Sequence, residues 1–195
     1  TALAVGTREL TGKYKLKVNM EGHGREDVIE NFEINRTVGW FTTMYPVLLD
    51  IGNENELSTN IKTVKETLRK IPNKGIGYGV LKHLAKDKGF MNEEKAPISF
   101  NYLGELDQDI NRREFSASKW SIGETVGKKI NRNTSIEMNS MVLNGELVIH
   151  TTFNELEYSE KMIKDLNQKY KESLEMIINH CADKVEPDQT PFDYG

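Results

Sequence analysis

Alternation of apolar and polar residues predicts three strand regions. Over residues 13–20 (KYKLKVNM) every second residue is apolar, which is typical of a strand with one buried face. Residues 135–153 alternate on both sides of Asn144-Gly145, a dipeptide preferred in the two-residue type I′ turn. We therefore expect a strand near the start of the chain and a β-hairpin near its end, with a further strand over 97–104 (PISFNYLG).

Helical periodicity appears between and after these strands. Over residues 57–71 apolar residues recur every three or four positions, and Pro72 follows. Ser159 is a suitable N-cap for a long helix with an apolar stripe from Met162 to Ile178. Shorter helices are predicted over 1–10, ended by Gly12, and over 78–88, ended by Gly89. The order of elements favours a layered α/β sandwich, with helices on a mostly non-sequential sheet.

Two segments lack a clear period. Residues 36–49 (RTVGWFTTMYPVLL) are the most apolar stretch of the chain, and it is interrupted by Gly39 and Pro46. The pattern is compatible with two short strands or with one strand plus a buried loop. Their methionine and aromatic side chains are expected mostly in the core. Residues 105–134 are polar and long for a structureless loop, which indicates a functional or partner-contacting segment.

Composition narrows the class of protein. The 195 residues suit one ordinary domain or two small ones, and the net charge of −4 argues against a nucleic-acid or anionic-membrane surface. The single cysteine, Cys181, cannot form a disulfide within the chain, and no apolar run is long enough to span a bilayer. We expect a cytoplasmic protein with one folded unit over 1–185 and a polar tail, the start of a linker, over 186–195.

Residues 21–26 (EGHGRE) are the strongest candidate for chemistry. They place two acids, an imidazole and a guanidinium at a strand end, although a charged surface turn is the more common meaning of such a composition. The four histidines have no metal-ligand spacing, so no metal site is expected. The glycine-rich segment 74–79 lacks the G-K-[ST] ending of a nucleotide loop, and no G-x-S-x-G elbow is present.

Together the segments resemble the epimerization domains of nonribosomal peptide synthetases, which are relatives of condensation domains in the chloramphenicol acetyltransferase-like superfamily. The matching segments are 21–26 (EGHGRE), 36–50 (RTVGWFTTMYPVLLD), 72–79 (PNKGIGYG), 100–104 (FNYLG) and 190–193 (TPFD). Glu105 stands where glutamine is more usual. The family's H-H-x-x-x-D-G motif is absent from the sequence, so the resemblance implies the C-terminal lobe of a two-lobed fold whose channel lies between the lobes.

The resemblance implies inversion of the α-carbon of an aminoacyl or peptidyl thioester, held on the phosphopantetheine arm of a carrier domain in antibiotic-type peptide synthesis. It implies no directly bound cofactor. Glu21 is the expected base or acid; burial is expected to raise its pKa, and Arg25 beside it is expected to lower that pKa and fix the rotamer of Glu21. Neighbouring strand residues point to opposite faces, so only one of Asn101 and Tyr102 can face the channel directly unless the strand is bulged or ends there. Tyr102 is favoured as the hydrogen-bonding group near the enolate oxygen, with Asn101 supporting it. The supporting residues are His23, Arg25 and Asn101, and the channel-lining candidates are Trp40, Tyr45 and Tyr78.

The implied partners are an N-terminal lobe carrying the H-H-x-x-x-D-G motif, the carrier domain and a downstream synthetase module. The 195-residue chain by itself is expected to be inactive. Its channel face, including residues 38–49, would leave an apolar patch that favours self-association. Two alternatives remain: a condensation-type acyl transferase lobe, and a non-catalytic module that docks a carrier protein.

Overall fold

A five-stranded sheet with the order β2-β1-β3-β4-β5 organises the chain. The computed structural model describes residues 1–26, 28, 34–53, 56–86, 88–91, 94–106, 120, 123, 127 and 133–194. The strands are β1 (Lys15–Gly22), β2 (Thr43–Asp50), β3 (Ile98–Glu105), β4 (Ile136–Leu143) and β5 (Glu146–Phe153). The α-helices are α1 (Ala2–Thr11), α2 (Leu57–Arg69), α3 (Ile76–Gly79), α4 (Lys88–Met91) and α5 (Glu160–Ala182).

The sheet has a parallel centre and antiparallel flanks. β3 pairs in parallel with both β1 and β4, whereas β2 is antiparallel to β1 and β5 is antiparallel to β4. The order therefore departs from the order along the chain, as expected. This mixed α/β arrangement confirms the predicted fold class.

One face of the sheet forms the core. Strand residues such as Val18, Ile98 and Ile136 lie level with one another and are buried against helices α1, α2 and α5. The residues between them point to the opposite side, which we call the polar face. The polar face comprises Asn19 and Glu21 of β1, Ser99 and Asn101 of β3, and Glu137 and Asn139 of β4.

Local signals in the sequence predicted several boundaries correctly. The hairpin turns at Asn144 and Gly145, whose φ values of 53° and 74° are those that a type I′ turn requires. Helix α5 begins after Ser159, whose hydroxyl accepts a hydrogen bond from the Met162 amide at 3.3 Å. Helix α1 ends at Gly12, in the left-handed conformation.

The apolar segment 36–49 differs from its prediction. It contains one strand, β2, and Pro46 is tolerated within it because β2 is an edge strand. The prediction of a buried loop is wrong, since Val38 and Trp40 are 99% and 90% exposed. The expectation that the methionine and aromatic side chains lie in the core holds for Tyr45, which packs against the core, but not for Trp40 or Met44.

Three further differences concern element ends. Strand β1 continues through Glu21 and Gly22, which pair with Met44 and Thr43 of β2. The helix predicted over 78–88 is instead α3 followed by a π-helical turn, Val80–Leu84. Most of the polar segment 105–134 lies outside the described residues, so its predicted role stays a prediction.

Candidate active site at the end of strand β1

Glu21 occupies the polar face near the end of β1. Its strand neighbour is Met44 in β2, and its side chain is half-buried. Burial raises the pKa of Glu21 above its usual value, and the charge of Glu137 raises this pKa further. A carboxyl group whose pKa is moved towards neutrality suits proton transfer better than a fully hydrated one.

Strand register places Asn101, rather than Tyr102, on the face of Glu21. Met20 lies beside Phe100 in the parallel β1–β3 pair, so Glu21 and Asn101 occupy the next level on both strands. Tyr102 is level with the buried Ser140 on the core side and is 55% exposed. The prediction that Tyr102 shares the face of Glu21 is therefore corrected, and Asn101 takes that position.

Arg25 is directed away from Glu21. Its guanidinium donates to the carbonyl oxygens of Ile34 and Thr37, the latter at 2.9 Å, and lies 4.2 Å from the centre of the Phe41 ring. The expectation that burial raises the pKa of Glu21 is confirmed, and the expectation that Arg25 lowers it is wrong: the shift is upward, and its causes are burial and the charge of Glu137. Arg25 instead holds residues 34–41, which lead into β2.

His23 uses both ring nitrogens in local contacts. Its Nδ1 accepts a hydrogen bond from the Arg25 amide at 2.9 Å, and its Nε2 lies 3.0 Å from Oε1 of Glu26. The other oxygen of Glu26 forms an ion pair with Lys74 at 2.8 Å. These contacts suit a structural role for His23 in the turn after Glu21, and its supporting role in the site stays a prediction.

Glycines bring the sequence motifs into contact. Gly24 has a φ of 66°, and a Cβ there would lie 1.6 Å from the carbonyl oxygen of Phe41. Gly75 has a φ of 80°, and its Cβ would lie 2.1 Å from the Tyr45 ring. The motif around Glu21 thus packs on the segment 36–45, which in turn packs on the glycine-rich segment 72–79.

The three channel-lining candidates lie in different environments. Tyr45 is half-buried beneath Gly75, and burial raises the pKa of its hydroxyl. Trp40 is largely exposed on the segment that Arg25 holds. The Tyr78 hydroxyl accepts a hydrogen bond from Lys82 at 2.8 Å, and its ring meets Phe90 edge to face at 5.7 Å. Tyr45 lies against the motifs at the end of β1, and a channel-lining role for all three stays a prediction.

Sequence reasoning missed Glu137. The alternating pattern of β4 already assigns Glu137 to a polar face, but only the strand order shows that this is the face of Glu21. Within the described part of the chain, no group of three or more histidine, cysteine, aspartate or glutamate residues could hold a metal ion. No helix among the described residues is long and apolar enough to cross a membrane.

Comparison with known proteins identifies the family. The Condensation domain family matches residues 1–192. Bacitracin synthase 3 of Bacillus licheniformis is 63% identical over 195 residues, which cover 100% of this chain and 3% of that protein. Surfactin synthase subunit 2 of Bacillus subtilis is 41% identical over 198 residues, which cover 100% of this chain and 5% of that protein. The chain thus spans a small part of these relatives.

Among solved structures, the epimerization domain from the third module of tyrocidine synthetase B superposes with a TM-score of 0.84 and 35% identity, covering 94% of this chain and 41% of that one. The PapA2 acyl transferase, at 14% identity and a TM-score of 0.56 over 94% of this chain and 38% of that one, shares the fold alone. With the family match extending over nearly every residue, the chain belongs to the Condensation domain family of nonribosomal peptide synthetases.

Proposed function

We propose that the chain is the C-terminal lobe of an epimerization domain, which inverts the α-carbon of an aminoacyl or peptidyl thioester from L to D. The observation that carries this proposal is Glu21, a half-buried carboxyl with a raised pKa on the same sheet face as Asn101. The 35% identity and TM-score of 0.84 with an epimerization domain support it independently. The condensation-type structures are much less similar and support only the shared fold.

Glu21 is the proposed acid or base on one side of the α-carbon. Its carboxylate takes the α-proton, the C–H electron pair moves into the thioester carbonyl, and an enolate forms. A proton delivered to the other face then gives the inverted centre. The thioester makes the α-proton more acidic but leaves it a weak acid, so a base with a raised pKa matches the task.

Asn101 is the proposed donor to the developing enolate oxygen. A side-chain amide on the same sheet face as Glu21 can donate a hydrogen bond where negative charge appears, and such donors are most effective when they are already in place. The main-chain carbonyl of Asn101 accepts a hydrogen bond from the Ser140 hydroxyl at 3.0 Å, which fixes this part of β3. Tyr102, on the other side of the strand, is the weaker candidate.

The proposed partners are an opposing lobe with the H-H-x-x-x-D-G motif, a peptidyl carrier domain and a downstream synthetase module. The phosphopantetheine arm of the carrier presents the thioester, and no separately bound cofactor is part of the proposal. Because the second face of the α-carbon needs a proton donor from the opposing lobe, we expect the 195-residue chain alone not to epimerize a loaded carrier.

The test is Glu21→Gln in a two-lobed domain containing this chain. We expect α-proton exchange with deuterated solvent, followed on a loaded carrier by mass spectrometry, to fall at least about 100-fold, as is usual when a general base is removed. Glu175→Gln is the matched control, because it makes the same change at an exposed position on α5. Carrier binding, measured by pull-down, should be unchanged in both variants.

Exchange at the parental rate in Glu21→Gln would remove Glu21 from the mechanism. Carrier binding without any exchange in the unmodified two-lobed domain would favour a docking module instead. Peptide-bond formation between two loaded carriers would favour the condensation-type acyl transferase.

A further inference from the structure

The polar face carries a second carboxylate close to Glu21. Glu137 in β4 is level with Ser99 in β3, which is level with Asn19 in β1. Glu21 is two residues beyond Asn19 on the same strand, so it shares the sheet face of Glu137. The two carboxylates are thus separated by a single intervening strand, whose polar-face residues Ser99 and Asn101 are uncharged.

Glu137 is held on this face by its cross-strand neighbour. The Thr152 hydroxyl of β5 donates to Oε2 of Glu137 at 3.3 Å, and the two residues face each other in the β4–β5 ladder. The side chain of Glu137 is half-buried. A charge held at a partly buried position is screened by solvent less than one on a mobile surface side chain.

The neighbouring cations that the structure describes have partners other than Glu21. Arg25 contacts the carbonyls of Ile34 and Thr37, and Lys74 pairs with Glu26. Lys17 donates to the Glu94 carbonyl, and Lys15 pairs with Asp50 at 3.1 Å. Among the described residues, the charged or titratable groups on the strand of Glu21, in the following turn and on the elements beside it include Lys15, Lys17, His23, Arg25, Glu26, Tyr45, Asp50, Lys74, Tyr102, Glu105, Glu137 and His150.

We infer that Glu137 is a positioning residue for the proposed reaction, acting through Glu21. The two carboxylates share the polar face, and the negative charge of Glu137 makes Glu21 take up a proton more readily. This inference rests on the proposed function for its role in catalysis. The raised pKa of Glu21, to which Glu137 contributes after burial, agrees with the geometry.

The consequence is that Glu21 can both remove a proton and return one. A carboxylate with greater proton affinity removes an α-proton more readily, and a larger fraction of it is protonated and ready to return a proton. An epimerization runs through both steps. A like charge on the same face adds to the effect of burial on Glu21.

The inference can be tested on the 195-residue chain without catalysis. The Glu21 side-chain carbon is followed by NMR against pH in ¹³C-labelled protein, with Glu21→Gln identifying its signal. In Glu137→Gln we expect the titration midpoint of Glu21 to fall by at least about 0.3 pH unit, since a unit charge about two strand spacings away acts measurably at a partly buried site. Glu137→Asp keeps the charge and should restore most of the midpoint.

Glu175→Gln is again the matched control and should leave the midpoint unchanged. Equal midpoints in Glu137→Gln and Glu175→Gln would overturn the inference. If Glu137→Gln does not fold, the Glu21 titration of the parent chain is repeated at different salt concentrations instead. Between about 0.01 M and about 1 M NaCl the screening length falls roughly tenfold, so the titration midpoint of Glu21 should fall. A midpoint independent of salt would also overturn the inference.

In a two-lobed domain, Glu137→Gln should move the acidic limb of the pH profile of α-proton exchange to lower pH by the same amount, and Glu137→Asp should move it back.

The titration of Glu21 is a readout separate from the proposed function. If Glu21→Gln exchanges normally while Glu137→Gln still shifts the Glu21 midpoint, the catalytic role fails and the coupling stands. If Glu21→Gln is inactive and the midpoint does not move, the coupling fails and the catalytic role stands.

Discussion

At Gly24 a single missing Cβ decides how the turn after Glu21 is built. The residue is buried and its φ is 66°, and the carbonyl oxygen of Phe41 occupies the space that a side chain would need. Both constraints favour glycine, because other residues pay strain at positive φ and a backbone oxygen cannot move aside easily. The contact fixes the end of β1 against the segment that leads into β2.

We predict that Gly24→Ala destabilises the fold by about 3 kcal/mol or more, because strain at positive φ and a backbone clash act together. Gly12→Ala is the matched control: its φ is 71°, yet nothing lies within 4 Å of its Cβ position. There we expect a loss of about 1 kcal/mol from backbone strain alone. Chemical denaturation measures the free energy of unfolding of both variants. Equal losses of stability in Gly24→Ala and Gly12→Ala would show that the contact with Phe41 is unimportant.

At the scale of elements, Arg25 organises the segment 34–41. Its guanidinium donates to two carbonyls of this segment and stacks on Phe41, and the Thr37 amide closes a turn onto Ile34 at 3.0 Å. The segment has no helix or strand of its own. Its conformation therefore depends on side-chain contacts, with Trp40 left exposed on it.

We predict that Arg25→Ala increases amide hydrogen exchange at Thr37 by at least about tenfold, because the loss of even one hydrogen bond to a charged donor costs about 1.5–3 kcal/mol. Arg36→Ala, in the same segment, is the control and should change the exchange much less. Amides in the centre of β1 should keep their protection in both variants. Unchanged exchange at Thr37 in Arg25→Ala would show that the turn holds without the guanidinium.

At the scale of the whole molecule, the segment after α5 returns to α2. Asp193 forms ion pairs with Lys65 at 2.7 Å and with Arg69, and it accepts a hydrogen bond from the Thr190 amide at 2.7 Å. Thr190 is buried, and the Phe192 amide donates to Glu66 at 3.2 Å. This polar segment therefore contacts the folded unit, while the boundary predicted near residue 185 stays a prediction.

We predict that Asp193→Asn lowers the melting temperature and speeds amide exchange at Thr190. Lys65 and Arg69 hold the pKa of Asp193 below its usual value. A lowered pKa in the folded state stabilises the fold above about pH 4, the ordinary value for an aspartate, and this contribution is lost as the pH falls below it. The difference in melting temperature between the parent and Asp193→Asn should therefore shrink as the pH is lowered from 7 to 3.

High salt should shrink the same difference, because these side chains are exposed enough to be screened. Asp165→Asn is the control, since Asp165 pairs with Lys161 on the solvent side of α5. We expect no change at Thr190 in that variant. A difference between parent and Asp193→Asn that is the same at every pH would show that the charge of Asp193 does not hold the segment.

Much of the fold could be predicted because its signals are local. The turn at Asn144-Gly145, the Ser159 cap and the Gly12 ending of α1 each depend on the backbone preferences of one or two residues. The family motifs likewise identified the candidate Glu21. The segment 36–49 was harder, because its apolar composition does not reveal that Trp40 would be exposed.

The sequence by itself determined the element types, the mixed α/β class and the candidate carboxylate, because periodicity and turn chemistry act over a few residues. Only the tertiary structure decided which side chains share a face with Glu21. Placing Asn101 and Glu137 there required the strand order and register, which join residues 80 positions apart between β1 and β3 and 38 positions apart between β3 and β4. A shift of one residue in that register would reverse every one of these assignments.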